Sequence, residues 1–347
     1  MDVIGLGMSH YPYLQLEDAR MTTPLRRSLD DPSIPAAAKQ VSAWPESMRA
    51  EWGSDEGLSA AVAHRAAMRA AIGQVRRTLD EFRPDVVLVW GDDQYENFRE
   101  DVVPPFAVLA YEDMEVLPWQ LSRLGPDNVW GEPADFRYPV RGAREIGADL
   151  VASLLDSSFD ISYAYKPLHW DGIGHAFLNP ILFLDYERTG FPYPVLPFSV
   201  NCYGRRLIGN RGTQAKDGGP VAMDPPSPSP ARCLELGRAV GRWAAESRWR
   251  VALVASSGWS HAFLTDKNSR LWPDVESDRS YFDAMIAGDL DRWHNATLPA
   301  LEESGQQEML NWFPLVGAMA ELGKAPTWSD FLPTHIFNSS KVTVIFK

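Results

Sequence analysis

The sequence has few cysteines, an excess of negative charge and no long apolar run. Only Cys202 and Cys233 occur in 347 residues, too few for a disulfide framework or a cysteine-rich zinc site. The formal net charge of −13, without a Lys/Arg cluster, excludes a nucleic-acid surface. No stretch approaches the ~20 apolar residues of a membrane span. The first residues, DVIGLGM, contain no basic leader. Together these features predict a cytoplasmic protein without nucleic-acid or membrane partners.

Strand and helix patterns alternate along the chain. Apolar, β-branched runs at 3–8, 86–90 and 195–203 predict buried strands. The Ala-rich stretch 57–82 has apolar residues at helical spacing and predicts one long helix. This alternation predicts an α/β fold. We expect one large domain, 1–347, with a central mixed β-sheet flanked by helices and an active site at the strand carboxyl ends.

Three loop-rich segments interrupt this pattern. Residues 12–56 and 112–140 are interpreted as lid-like insertions, and several of the thirteen tryptophans fall in or near them. Residues 211–230 are rich in Gly and Pro, which predicts an exposed excursion.

Three of the seven histidines follow strands or glycine-rich turns. His10 lies in GLGMSHYPYL and His261 in VASSGWSHAFL, each directly after an apolar strand. His175 lies in a glycine-broken loop, 168–180, with the sequence LHWDGIGHAFLNP. The carboxyl edge of an open α/β sheet is where such folds bind ligands. The histidines therefore predict a shared site, with structural turn histidines as the alternative. His64, on the long helix, is interpreted as a helix-surface or packing histidine rather than a ligand.

A carboxylate is needed to complete such a site. Two histidines and one carboxylate on one face of the metal are typical of non-haem iron. Candidates are Asp92, Asp93 and Glu96, which follow the second strand, and Glu308, which lies in the largely apolar ESGQQEMLNWFPLVGAM. The alternative for Glu308 is a helix-start carboxylate that interacts with the helix dipole.

The order of these segments carries a family resemblance. GMSHYP, VVLVWGDDQYENFREDVVPPFAVLA, GIGHAFLNP, LPFSVN, SSGWSHAF and SGQQEMLNW together resemble the class III extradiol ring-cleavage dioxygenases, the superfamily of the protocatechuate 4,5-dioxygenase beta subunit. The resemblance runs from His10 to about residue 320. It implies a non-haem metal-dependent dioxygenase that opens the ring of a catechol-like aromatic compound. It also implies dioxygen as co-substrate and Fe(II) as cofactor, with Mn(II) as the alternative.

The resemblance assigns roles to four residues. His10, in a Ser-His-x-Pro turn, and Glu308, four residues before Trp312, match metal ligands of the family. His261, in a Ser-His turn, matches its acid/base histidine. His175, five residues before a proline, matches a histidine that steers substrate and dioxygen.

One position departs from the family pattern. The second metal histidine of the family lies in an Asp-His pair, and this chain has Asp93-Gln94 instead. The alternatives are a ligand oxygen from Gln94, one from Asp93 or Glu96, an oxygen-preferring metal such as manganese, or loss of the metal. We favour an oxygen ligand from Asp93 or Gln94.

Two further residues are candidates for substrate binding. Arg205 follows a predicted strand, where it could hold a substrate carboxylate with two parallel hydrogen bonds; an exposed loop charge is the alternative. His169 precedes His175 by six residues and is either a site residue or a loop histidine stacked on aromatic neighbours. We expect a homodimer. The functional alternatives are altered oxidative chemistry, metal-assisted hydrolysis, and a non-catalytic binding or partner subunit.

Overall fold

A mixed eight-stranded β-sheet forms the centre of the computed structural model, which describes residues 3–169, 171–206 and 224–347. Within these ranges the strands are β1 (Val3–Met8), β2 (Val86–Gly91), β3 (Phe106–Leu109), β4 (Met114–Val116), β5 (Tyr138–Val140), β6 (Ser162–Ala164), β7 (Val195–Val200), β8 (Val251–Ser256), β9 (Pro326–Leu332) and β10 (Lys341–Phe346). The order in the sheet is β6-β3-β7-β2-β8-β1-β10-β9, while β4 and β5 form a separate antiparallel pair.

The helices of the described ranges lie on both faces of this sheet. They are α1 (Thr23–Asp30), α2 (Glu46–Trp52), α3 (Leu58–Phe82), α4 (Pro118–Leu121), α5 (Arg144–Asp156), α6 (His175–Leu184), α7 (Pro230–Glu246), α8 (Val275–Ala287), α9 (Asp291–His294), α10 (Leu298–Glu303) and α11 (Trp312–Glu321). Short 3₁₀ helices connect several of them. None of the described helices is long and apolar enough to cross a lipid bilayer.

Four parallel strands form the middle of the sheet. β7, β2, β8 and β1 run in one direction, whereas β3 and β10 run opposite to their neighbours β7 and β1. These four strands are buried along their whole length, as strands covered by helices on both faces are. The predicted α/β fold with a central mixed sheet is confirmed.

Strand β2 shows how the sheet separates two apolar cores. Its alternate residues Val86, Leu88 and Trp90 join the core that contains α5, α7 and α11. Val87 and Val89 join the opposite core, which contains α3 and α6. This alternation follows from the two-residue period of side chains along a strand. A strand that is apolar on both sides is therefore fixed between two helical layers.

Helices α7 and α11 approach each other closely because glycines lie at their crossing. A Cβ atom at Gly237 would overlap the Pro314 carbonyl oxygen, and one at Gly317 would overlap the Leu234 carbonyl oxygen. Only residues without a side chain allow this backbone approach. The crossing fixes the start of α11, and the residues immediately before it include Glu308.

Helix α6 corrects one expectation. The stretch 168–180 is predicted to be a loop, but the helix begins at His175 and continues through Pro180. Proline has no N–H for the Ala176 carbonyl four residues earlier. The Ser256 hydroxyl donates to that carbonyl instead, at 2.6 Å. A hydrogen bond from a neighbouring strand therefore replaces the missing helical one, which the local sequence does not reveal.

We expect Ser256→Ala to lower the free energy of unfolding by about 1–3 kcal/mol, because it leaves the buried Ala176 carbonyl without a donor. Urea unfolding followed by circular dichroism measures the change. The control is Ser54→Ala on the exposed surface, which should alter stability by less than about 0.5 kcal/mol. Equal stability of both variants would contradict the conclusion that the Ser256 hydroxyl replaces the helical hydrogen bond that Pro180 cannot make.

The predicted insertions differ in structure. Residues 12–56 fold into α1, α2 and short 3₁₀ helices, and 112–140 contain β4, α4 and β5. Most of the predicted excursion at 211–230 lies outside the described residues, and only 224–230 can be followed, as an extended segment that enters α7.

Candidate metal centre and active site

The carboxyl ends of adjacent parallel strands bring the candidate residues together. His10 follows β1, Asp92 follows β2 directly, and His261 follows β8. Glu308 reaches the same place from the 3₁₀ helix Gln307–Asn311, and His175 is the first residue of α6. Three strands and two helices thus supply one site at the edge where α/β folds bind ligands.

His10 is held in one tautomer. Its ring is 3% exposed, and Nδ1 lies 3.0 Å from the Ser256 carbonyl oxygen. Because a carbonyl only accepts hydrogen bonds, Nδ1 carries the hydrogen and Nε2 keeps a lone pair. Nε2 lies 3.7 Å from Oε2 of Glu308. Burial lowers the pKa of His10, so the neutral, metal-binding form of the ring is favoured.

Glu308 presents one oxygen that has no hydrogen-bond donor. The residue is 1% exposed, and Oε1 accepts from the Tyr203 hydroxyl at 2.6 Å. Oε2 is buried without a hydrogen-bond partner. Burial, followed by repulsion from Asp92, raises the pKa of Glu308 to about 7. An unsatisfied buried carboxylate oxygen beside an imidazole lone pair fits a bound cation.

Asp92 completes a group with the donor set of a metal site. One ligand atom from each of His10, Asp92 and Glu308 lies within 4.8 Å of the others, and all three residues are buried. Oδ1 of Asp92 accepts from Asn311 at 3.2 Å, which fixes the carboxylate. We call this group the His10–Asp92–Glu308 cluster. It is a candidate metal site built from one nitrogen donor and two carboxylates.

Gln94 contacts this cluster through its amide nitrogen. Nε2 lies 2.8 Å from Oδ2 of Asp92 and 3.1 Å from Oε1 of Glu308. It also donates to the Tyr203 oxygen at 3.3 Å. The sequence interpretation instead required the carbonyl oxygen of Gln94 to face the metal.

Asp93 is turned away from the cluster. Its two carboxylate oxygens accept hydrogen bonds from the backbone N–H groups of Glu96, Asn97 and Phe98, at 2.9, 2.9 and 3.2 Å. Burial and the neighbouring Glu96 raise the pKa of Asp93 to about 7. In this position Asp93 shapes the turn after β2, and its neighbour Asp92 takes the place in the cluster.

His175 and Glu96 form a partly buried pair beside the cluster. Nδ1 of His175 lies 3.0 Å from Oε1 of Glu96, and the His175 ring meets the His10 ring edge-on, with centroids 5.1 Å apart. Burial acts to lower the pKa of His175, but attraction to Glu96 outweighs it and raises that pKa to about 9. His175 is therefore a cation at the entrance to the cluster.

His261 differs from His175 because its pKa is lowered instead of raised. Nδ1 donates to the Trp259 carbonyl at 2.8 Å, so the lone pair is on Nε2, which lies 3.4 Å from Oε2 of Glu308. Burial lowers the pKa of His261 to about 4. Apart from the neutral His10, the site thus pairs a histidine with a lowered pKa, His261, and one with a raised pKa, His175, a division typical of acid and base partners.

A cavity of about 350 Å³ lies in front of these residues. Its walls include Gln94, Glu96 and His175, and the predicted insertions contribute Tyr13, Arg27 and Arg123 among others. Phe263 and Ile173 supply apolar surface. The volume falls in the roughly 300–1,000 Å³ range of small-molecule sites.

The structure does not bring the two predicted substrate-binding residues to this cavity. His169 bonds to the exposed Asp101 at 2.9 Å, and Arg205 lies in the short helix Gly204–Arg206 beyond β7. Neither lines the cavity in the ranges that the structure describes. Arg27 and Arg123 are the arginines that do.

His64 packs in the core, which is one of the two positions expected for it. The ring lies 4.8 Å from Phe337, and burial followed by repulsion from Lys341 lowers its pKa well below 6.5. Since the unfolded chain binds this proton more readily, stability is full above pH 6.5 and decreases as the pH falls below that value.

We expect His64→Leu to reduce this pH dependence. Between pH 7.5 and 5.5 the wild type should lose about 1 kcal/mol more unfolding free energy than the variant, since one proton is worth about 1.4 kcal/mol per pH unit. Urea titrations at both pH values measure it. The exposed His294 provides the control variant His294→Gln. An identical pH dependence of stability in wild type and His64→Leu would contradict the lowered pKa of His64.

Sequence reasoning missed the polar residues that orient the cluster. Tyr203 donates to Glu308, Asn311 donates to Asp92, and Ser256 accepts from His10. Asn311 lies three residues after Glu308, and Tyr203 follows β7 near the same sheet edge. For Ser256 and Tyr203 the signal that could have identified them is a position at or after a strand end, and for Asn311 it is the spacing from Glu308.

Several curated proteins are similar to the chain. They include three that are named "2,3-dihydroxyphenylpropionate/2,3-dihydroxicinnamic acid 1,2-dioxygenase". The Photorhabdus laumondii protein is 25% identical over 221 residues, which cover 64% of this chain and 55% of that protein. The Comamonas testosteroni protein is 27% identical over 195 residues, 56% of this chain and 49% of that protein. The Rhodococcus protein is 25% identical over 291 residues, 76% of this chain and 85% of that protein.

The extent of these matches varies. The chain spans about half the length of the first two relatives, and most of the length of the third. No family model matches the chain. The relatives nevertheless carry the name of a dioxygenase acting on a dihydroxylated aromatic acid. The resemblance found in the motifs is therefore confirmed: the chain is similar over much of its length to enzymes of the class III extradiol dioxygenase family.

Proposed function

We propose that the chain is a metal-dependent dioxygenase that opens the ring of a catechol-like aromatic compound. The observation that carries this proposal is the unsatisfied Oε2 of Glu308 beside the free Nε2 of His10, behind a cavity of small-molecule size. The names of the relatives support the reaction class.

His10 and Glu308 would hold the metal. Fe(II) is the proposed ion and Mn(II) the alternative. When bound, such an ion supplies the redox chemistry that joins dioxygen to a catecholate. The protein supplies the ligand orientation, since the Ser256 carbonyl fixes His10 and the Tyr203 hydroxyl fixes Glu308.

Two histidines would handle protons. His261 has its Nε2 lone pair facing Glu308, where it can accept a proton from a substrate hydroxyl. His175 lines the cavity, and its Nδ1 is occupied by Glu96, so Nε2 is left to donate to an oxygen of the substrate or of dioxygen. His175 lies against His10 and His261 against Glu308, which supports a division into base and donor.

The insertions 12–56 and 112–140 would act as the lid of this site. Tyr13 and Arg27 come from the first, and Arg123 and Leu124 from the second. The relatives are named for acids with a carboxylated side chain. We propose a catechol with such a side chain as the substrate, with its carboxylate near Arg27, while Arg123 is engaged with the Gln94 carbonyl.

We expect Arg27→Gln to raise KM for a carboxylated catechol by about tenfold and to leave KM for unsubstituted catechol unchanged. A hydrogen bond to a charged group contributes about 1.5–3 kcal/mol, and exposure of Arg27 places the effect at the lower end. Steady-state oxygen uptake measures both constants. Equal effects on the two substrates would exclude a role in carboxylate recognition.

A homodimer and a cytoplasmic location remain predictions. Sedimentation velocity on the purified chain tests the first.

Oxygen uptake by the Fe(II)-loaded chain tests the proposed function. The chain is loaded anaerobically, mixed with 2,3-dihydroxyphenylpropionate or catechol, and supplied with ¹⁸O-labelled dioxygen. We expect both labelled atoms in a ring-opened product. Intact catechol, or a product without label, in Fe(II)- and Mn(II)-loaded protein alike would contradict dioxygenase activity.

A further inference from the structure

The position that departs from the family pattern has a defined place in this site. Gln94 lies shortly after β2, and its side chain reaches between two carboxylates. Carboxylate oxygens accept hydrogen bonds, so the amide group must face them with its N–H₂ rather than its oxygen. An amide nitrogen whose hydrogens point at the cluster has no lone pair to offer a cation.

Asp92 is placed to fill the third ligand position, which Gln94 cannot fill. It is 0% exposed, and each of its oxygens accepts one amide hydrogen bond, from Asn311 and from Gln94. A carboxylate oxygen has a second lone pair, which remains for a metal. The independent sign of a ligand is Oε2 of Glu308, which is buried without a hydrogen-bond partner and lies 3.7 Å from Nε2 of His10 and 3.4 Å from Nε2 of His261.

We propose that Asp92 is the third metal ligand of this chain and that Gln94 positions Asp92 and Glu308 instead of binding the ion. This rests on the proposed metal-dependent function and specifies its centre. The donor set is then one imidazole and two carboxylates, in place of two imidazoles and one carboxylate. Carboxylates suit harder cations such as manganese, so the exchange shifts the preference of the site toward Mn(II).

The charge of the residues agrees with this assignment. The two carboxylates balance a divalent cation, whereas without one they repel each other. Hydrogen bonds from the Gln94 amide nitrogen to both carboxylates hold the carboxylates of Asp92 and Glu308 next to each other. A histidine at position 94 would supply a nitrogen donor but would lose the hydrogen bonds that link the two carboxylates.

Calorimetric titration of the full chain with Mn(II) tests the ligand assignment. We expect Asp92→Asn to weaken Mn(II) binding by more than tenfold, Gln94→Ala to weaken it less, and the exposed-site control Asp101→Asn to leave it unchanged. Circular dichroism checks that each variant is folded. Wild-type affinity in Asp92→Asn would overturn the assignment.

Pulsed EPR of Mn(II)-loaded wild type provides a test without a disruptive variant. Nitrogen modulation counts the coordinated imidazoles, and we expect one in the wild type and two in Gln94→His. Two imidazoles in the wild type would overturn the proposal and point to His261, whose Nε2 lies 3.4 Å from Glu308. Failure of the wild type to bind Mn(II) or Fe(II) would overturn the proposed function as well, so the two failures are distinguishable.

Discussion

Glu308→Gln is expected to remove the bound metal and to lower kcat/KM for ring cleavage on the order of 10³-fold. Glutamine keeps the shape of the side chain and can still accept the Tyr203 hydrogen bond. It replaces a charged ligand by a neutral amide. Loss of groups that merely orient ligands already reduces affinity or activity by about 10–100-fold, and loss of a ligand should reduce it further.

Metal analysis and oxygen uptake on the same preparation measure this effect. The matched control is Glu303→Gln, because Glu303 is an exposed carboxylate at the end of α10. It should retain both metal and activity. A Glu308→Gln variant with full metal content and wild-type turnover would show that the buried carboxylate is not part of the reaction centre.

His261→Asn is expected to lower kcat by about 10²–10⁴-fold and to leave metal content and KM near the wild-type values. The predicted magnitude is that of a lost acid/base group. His261 faces Glu308 with a free Nε2 because the Trp259 carbonyl holds the opposite nitrogen. Asparagine can donate to that carbonyl but offers no comparable base.

The separation of kcat from metal content is the informative readout for this variant. Loss of metal in His261→Asn would identify the residue as a ligand rather than a proton acceptor. The exposed His294 gives the control His294→Gln, with no expected change. A similar loss of activity in the control would indicate a general effect of histidine replacement.

Much of the fold was predictable because its signals are local. The apolar runs that form β1, β2, β7 and β8 are continuous, as strands buried on both faces require. Helix α3 follows directly from its spacing. Helix α6 was missed because the glycines before it and the proline within it indicate a loop, and the hydrogen bond that compensates for Pro180 comes from residue 256, far along the chain.

The candidate site was predictable only in part. His10, His175, His261 and Glu308 meet at the expected sheet edge, since strand ends and motif order place them there. The choice between Asp92 and Asp93 depends on which way each carboxylate turns after β2, and adjacent residues there point in different directions. The backbone N–H groups of residues 96–98 donate hydrogen bonds to the Asp93 carboxylate, and no spacing rule indicates those contacts.

The orientation of Gln94 was beyond sequence reasoning for a related reason. Glutamine can present either an oxygen or a nitrogen, and its neighbours decide which. Two of those neighbours, Tyr203 and Glu308, are more than a hundred residues away in the chain. The positions of Arg205 and His169 likewise depend on loop paths that composition does not determine.

Metal content is the most direct test of the proposed metal centre. The chain is purified without added metal or affinity-tag metal, beside His10→Ala, and both are analysed for iron and manganese before and after anaerobic Fe(II) loading. We predict about one metal ion per wild-type chain and loss of that ion in the variant, because His10 supplies the only imidazole of the three-residue cluster found among the described residues. Little metal in both proteins after loading would contradict the metal centre and the dioxygenase function that depends on it.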